Sequence, residues 1–350
     1  MTSSRLSRSI TAAVLAATLC ASASAQLFGS FGFGANVFET KGLDKQELPS
    51  QQCVGFYKTP SFKCEAIKVP AYFARVKDGD RNVLVVILPG AGGLDKRHSD
   101  YANYLASNGI NAAVLDPWRA RGSTRSSGDA TTDRLKGGDD INFAIDGMAV
   151  QAQLRLTDEW KHTKFGFLGE SRGGTSAMIV LRPFIEAIVR EYVGVPAGAK
   201  VNFDASVGLY PACVDRSSME GFKKVPVLIV SGGADAAAPP EVCERQVAWM
   251  NKRGGNATFQ VLPDEYHDWD APTKAVMTDY VSSGKCENMY QGDKIVLLQS
   301  QKEFPTTPEG LKAMNAECRT RGYMMGHRGN PQTGYDVWLD FFKQKLLPQR

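Results

Sequence analysis

The stretch that most constrains this chain runs Lys164-Phe-Gly-Phe-Leu-Gly-Glu-Ser-Arg-Gly-Gly174. A short apolar run ends in Gly169-Glu-Ser-Arg-Gly173, and a helix-forming segment follows. This is a G-x-S-x-G pattern set between a buried strand and a helix. So sharp a turn holds its serine in a strained backbone conformation, tolerated because the flanking positions lack a Cβ. The hydroxyl then stands clear of the sheet above a helix N-terminus, whose partial positive charge favours an oxyanion. Ser171 is therefore a candidate nucleophile. The pattern by itself suits an ordinary turn serine at a helix start equally well, so context has to carry the reading.

The context is an alternation of strands and helices. Asn82–Leu88 is a continuous apolar run, read as a strand buried on both faces. Pro89-Gly-Ala-Gly-Gly93 follows, then a helix-like stretch from about residue 100 to Ser107. Asn111–Leu115, Phe165–Leu168, Ala205–Tyr210, Pro226–Val230 and Thr258–Leu262 read as further strands. Helices are expected over Asp139–Glu159, Pro240–Arg253 and Tyr335–Leu347, the last with Trp338, Phe341, Phe342 and Leu346 on its apolar side. Such alternation calls for a mostly parallel central sheet with helices on both faces. The ligand crevice of such a sheet lies at the carboxyl ends of the strands, where Ser171 falls.

A serine hydroxyl needs a base to take its proton, and the base needs an acid to orient it. The chain has four histidines, His98, His162, His267 and His327. His267 comes five residues after the strand ending at Leu262, and Asp235 five residues after the one ending at Val230. The order Ser171, Asp235, His267 is that of α/β-hydrolases. Asp204 and Asp215 are rival acids, and His327 is a rival base that lacks a preceding strand. His98 and His162 precede the serine and read as surface residues. In Pro89–Gly93 the glycines allow close backbone approach to a substrate. The main-chain N–H groups of Ala91 and Arg172 are the expected oxyanion donors, with Gly90 or Gly92 as neighbours if the register differs by one. A phosphate-cradling loop is disfavoured, because neither G-K-[S/T] nor a complete G-x-G-x-x-G follows.

The ends of the chain speak to its destination. Arg5 and Arg8, the apolar run Ile10–Leu19 and Ala23-Ser-Ala25 read as a signal peptide over residues 1–25, with a mature start at Gln26. Cys20 raises a lipoprotein alternative, but the large Leu19 precedes it. The remaining cysteines are Cys53, Cys64, Cys213, Cys243, Cys286 and Cys318. An even number in an exported protein suggests disulfides, so a periplasmic or secreted protein is expected. Sequence does not choose among the pairings; proximity along the chain favours Cys53–Cys64, Cys213–Cys243 and Cys286–Cys318. Without a C-x-x-C pair or zinc-spaced histidines, neither a metal nor a cofactor is expected. A formal net charge of +4, two units of it in the leader, argues against nucleic acid as a partner. No later apolar run is long enough for a membrane span.

Together these residues resemble the dienelactone hydrolase family of α/β-hydrolases. The likeness rests on Leu88-Pro-Gly-Ala-Gly-Gly-Leu94, Tyr101-Ala-Asn-Tyr-Leu-Ala-Ser-Asn-Gly109 and Val114-Leu-Asp-Pro-Trp-Arg-Ala-Arg-Gly122. It extends through Gly169-Glu-Ser-Arg-Gly-Gly174, Ser231-Gly-Gly-Ala-Asp235 and Tyr266-His267. It covers about Asn82 to Leu347, so residues 82–350 are expected to form the catalytic domain and 26–81 an N-terminal extension with first strands. The family's usual nucleophile is cysteine; Ser171 stands in its place, as in serine-bearing relatives that look like general carboxyl-ester hydrolases. The resemblance implies an exported serine hydrolase acting on a small-molecule ester or lactone. A serine peptidase on the same fold and an inactive hydrolase-like binding protein are the alternatives. A long insertion at about 268–333 is a second departure, able either to cap the site or to pack away from it. Trp118, Tyr210, Tyr266 and Trp269 offer an apolar binding surface or ordinary packing.

Overall fold

In the computed structural model, the apolar runs form the middle of one twisted sheet. The structure describes residues 37–55, 57, 59–77, 82–217 and 221–348, so the expected leader, Cys20 and Gln26 lie outside the described residues. The chain runs β1 (Asp44–Val54), β2 (Lys63–Ala74), β3 (Val83–Leu88), α1 (Lys96–Ser107), β4 (Asn111–Leu115), α2 (Ala130–Leu135) and α3 (Asp140–Arg155). It continues through β5 (Lys164–Glu170), α4 (Arg172–Ile179), α5 (Pro183–Val193), β6 (Ala205–Leu209), β7 (Asp215–Ser217), β8 (Pro226–Gly232), α6 (Pro240–Lys252) and β9 (Asn256–Leu262).

The main sheet has the order β1-β2-β4-β3-β5-β6-β8-β9. From β4 to β9 every pairing is parallel, while β2 runs antiparallel to both β1 and β4. β3, β4 and β6 are buried along their whole length, which is why they read as uninterrupted apolar runs. From β3 the chain steps outward to β4 and then returns to β5 on β3's other side. That reversal is a topological switch point, and it opens a crevice at the carboxyl ends of β3 and β5. The Gly-rich loop and Ser171 both leave the sheet there. This is the α/β-hydrolase fold.

Helices cover both faces. α1 and α8 (Tyr335–Leu346) share one apolar cluster with the sheet; α3, α4, α5 and α6 share the other. Trp338, Phe342 and Leu346, four residues apart, are fully buried and clamp α8 over β5 and β6. Truncating one such side chain to alanine typically costs about 2–5 kcal/mol.

The segment after β9 forms small sheets of its own. β10 (Val276–Met277) and β11 (Val281–Ser282) are followed by β12 (Asn288–Gln291), β13 (Lys294–Leu297) and β14 (Lys302–Pro305). Then come α7 (Pro308–Cys318), β15 (Thr320–Arg321) and β16 (Met324–Met325). β14, β13 and β12 extend β7 into a four-stranded sheet, which anchors the insertion to the main body. β10 pairs with β16 and β11 with β15, so the end of the insertion returns to its start.

Disulfides join Cys53 to Cys64 across β1–β2, Cys213 to Cys243 between the loop after β6 and α6, and Cys286 to Cys318 inside the insertion. These are the pairings that proximity favours. Among the described residues no helix is long and apolar enough to cross a membrane, and no group of three His, Cys, Asp or Glu side chains is arranged to hold a metal.

Candidate active site

Ser171 sits between the last residue of β5 and the first of α4 with φ +48° and ψ −108°, a conformation L-residues rarely adopt. It is held by Ser171 N–H donating to Leu209 O at 2.9 Å and by Thr175 N–H donating to Ser171 O at 2.9 Å. A Cβ at Gly169 would lie 2.0 Å from Gly173 O, so only glycine lets strand and helix close this tightly.

Asp235 and His267 arrive from the ends of β8 and β9. The two loops are joined: Gly233 N–H donates to Leu262 O at 2.8 Å and Ala234 N–H to Glu265 O at 2.9 Å. Asp235 Oδ1 accepts from the N–H groups of Ala237 and Ala238, each at 2.8 Å, while its Oδ2 lies 2.8 Å from His267 Nδ1. His267 Nε2 lies 3.1 Å from Ser171 Oγ. An ionised Asp235 can only accept, so Nδ1 carries the proton and the Nε2 lone pair meets the hydroxyl. Burial alone would lower the His267 pKa. The charge and hydrogen bond of Asp235, aided by Asp268 and Glu170, outweigh it and hold the pKa above the ordinary imidazole value. An imidazole between an acceptor carboxylate and a hydroxyl can take the hydroxyl proton and remain stabilised as a cation.

The rival residues lie elsewhere. Asp204 accepts from Phe165 N–H at 2.9 Å, and Asp215 from Asn288 Nδ2 at 2.7 Å. His327 packs within the insertion, where its N–H donates to Thr273 O at 3.1 Å. His162 is exposed. His98, expected at the surface, is instead fully buried. Its Nδ1 sits 3.1 Å from Asp95 Oδ1 at the start of α1, and its Nε2 is 3.5 Å from Glu170 Oε1. Burial opposes its protonation, but the two carboxylates raise its pKa to about 9.

At the Gly-rich loop, the Gly90 N–H is already donated to Glu170 Oε1 at 2.5 Å. The N–H groups of Ala91 and Gly92 follow it in the same loop. Arg172 is the first residue of α4, where a backbone N–H has no intrahelical acceptor. Trp118, Tyr210 and Trp269 are buried and so offer no open binding surface; Tyr266 is half-buried beneath the Arg328 guanidinium.

A buried polar hub behind the site escapes sequence reading. Arg97 pairs with Asp268, with Asp95 at 2.9 Å, with Asp270 at 3.3 Å and with Glu170 at 3.7 Å, and donates to Tyr210 Oη at 3.1 Å. Burial raises the Asp270 pKa to about 6 against the pull of Arg97. The hub joins residues flanking both Ser171 and His267, but its partners lie up to 173 positions apart in the chain.

The chain has the α/β-hydrolase fold, with Ser171 at the sharp turn between β5 and α4. No family model matches the chain, and neither does any curated protein. Among solved structures it is similar to Thermogutta terrifontis esterase 2 phosphorylated by paraoxon, at 17% identity and a TM-score of 0.47, over 66% of this chain and 86% of that one. It is also similar to the dienelactone hydrolase-like promiscuous phosphotriesterase P91 from metagenomic libraries, at 16% identity and a TM-score of 0.48, with the same coverage. Similarity of this degree carries no argument about activity.

Proposed function

We propose that the chain is an exported serine hydrolase of the dienelactone hydrolase-like kind, cleaving carboxylic esters or lactones through an acyl-enzyme. The observation that carries this reading is the continuous relay from Asp235 Oδ2 through His267 to Ser171 Oγ, at 2.8 and 3.1 Å, on a serine whose φ is +48°. His267 Nε2 takes the Ser171 proton as Oγ bonds to the substrate carbonyl carbon. The carbonyl oxygen becomes an oxyanion held by the N–H groups of Ala91 and Arg172. When the intermediate collapses, the carbon–oxygen bond to the alcohol breaks and His267 returns its proton to that oxygen. Water then repeats the sequence, giving its proton to His267 and releasing the acid and free Ser171. The paired cysteines support an oxidising compartment outside the cytoplasm.

Labelling with a fluorophosphonate tests the reading. Wild type should take the label and hydrolyse short-chain p-nitrophenyl esters, and Ser171→Ala should do neither. A folded wild type that takes no label and turns over no ester overturns it.

A further inference from the structure

The peptide unit that joins Gly90 to Ala91 is gripped from outside the loop. The indole N–H of Trp118 donates to Gly90 O at 2.9 Å, and both groups are buried. In a trans peptide the carbonyl and the next N–H share one plane and point in opposite directions. Fixing Gly90 O therefore fixes the direction of the Ala91 N–H. The preceding peptide is fixed as well, by the 2.5 Å bond from Gly90 N–H to Glu170 Oε1. A Cβ at residue 90 would lie 2.5 Å from Glu170 Oε2, so glycine is what lets the carboxylate lie against this loop.

Neither clamp is loose. Glu170 directly precedes Ser171 and is held by His98 and Arg97; despite burial, their charges keep its carboxyl below the usual glutamate range. Trp118 packs edge-on against Phe143, with centroids 5.2 Å apart, and the Arg172 guanidinium carbon lies 5.2 Å from its ring centre. Arg172 is anchored in turn by donating to Gly138 O and pairing with Asp133 at 3.2 Å. One indole thus ties the residue carrying one oxyanion donor to the peptide carrying the other.

We propose that Trp118 and Glu170 are positioning residues that aim the Ala91 N–H at the developing oxyanion; this rests on the hydrolase reading above. Neither touches substrate. They act by removing the freedom of the Gly90–Ala91 peptide before the reaction begins, the condition under which a donor contributes most.

The test compares p-nitrophenyl acetate with its thiono counterpart, in which sulfur replaces the carbonyl oxygen. Sulfur is larger and a poorer acceptor, so it draws less from a well-aimed donor. The oxo-to-thiono ratio of kcat/KM therefore reports the aim of the hole, and the fraction of active enzyme cancels from it. Trp118→Phe keeps the ring and loses the donor; Glu170→Gln keeps the shape and loses the charge. In both, the ratio should fall about tenfold, a fraction of the loss expected when a donor is deleted outright. The oxo-ester loss should lie in kcat, with KM within about twofold of wild type. Two active, Ser171-labelled variants that keep the wild-type ratio overturn the clamp while leaving the hydrolase standing. A wild type with neither label nor turnover removes both.

Discussion

Tyr323 stands edge-on to His267, with ring centroids 6.0 Å apart and planes at 80°. It reaches the imidazole because the insertion bends back on itself: Gly326 N–H donates to His267 O at 2.9 Å, and residue 325 bridges to residue 267. The part of the insertion around Tyr323 therefore walls the base, while β12–β14 pack away beside β7.

If that wall steadies the base, Tyr323→Ala should lower kcat/KM about threefold to tenfold, the range an aromatic pair supports. Tyr323→Phe should stay close to wild type. An alanine variant with wild-type kinetics would show that the contact is incidental.

The pH profile should report His267. Only the neutral imidazole accepts a proton, so kcat/KM should fall as pH drops through a midpoint above about 6.5, where Asp235 has raised the pKa. Asp235→Asn removes the chief charge that opposes burial. The midpoint should then move to lower pH than in wild type, and kcat should fall by about three to four orders of magnitude. An acid limb that does not move in the Asn variant would detach Asp235 from the base.

His98 should make stability depend on alkaline pH. Its pKa is about 9 in the folded protein, against an unfolded value near the model 6.5. A raised folded pKa contributes stability that is full below about pH 6.5 and lost as pH climbs through about 9. The contribution is about 3 kcal/mol. Denaturant unfolding of wild type and His98→Gln should thus differ most below about pH 6.5, less as pH rises past neutrality, and converge by about pH 9.5. Parallel stability curves across this window would contradict the assignment.

The Cys213–Cys243 bridge closes 30 residues between the loop after β6 and α6. Replacing both cysteines with alanine should lower unfolding stability by about 3–4 kcal/mol, through the entropy returned to the unfolded chain. Reducing agent should lower wild type further than the double variant, since other bridges remain in both but this one only in wild type. Equal responses would indicate that this bridge adds nothing.

What sequence revealed and what it concealed follow one physical divide. The turn at Ser171 was legible because strain needs local glycines, and Gly169 and Gly173 stand beside it. Asp235 and His267 were legible because buried parallel strands end in recognisable loops. β4 begins and ends where its apolar run does, whereas β5 and β8 each extend past theirs by the residues that form the loop ends. α5 has no separate signal in the sequence because it follows α4 after a short break and no strand sets it apart. The insertion's strands are two to four residues long, too short for any periodicity to show. His98 reads as a surface residue because the local Asp95 alone implies no burial, and its second carboxylate partner, Glu170, is 72 positions downstream. Trp118 and Glu170 likewise sit in recognised motifs, but their bonds to Gly90 exist only once the sheet has formed.

Arg97 gives the site its mechanical character. It binds side chains that leave β5, β6 and β9 as well as its own helix start, most of them buried, where stranding one charge costs about 3–5 kcal/mol. None of those loops is free to swing while the guanidinium is held. The spacing of Ser171 and His267 is consequently tied to one cation that neither of them touches, so a change at Arg97 should reach both at once.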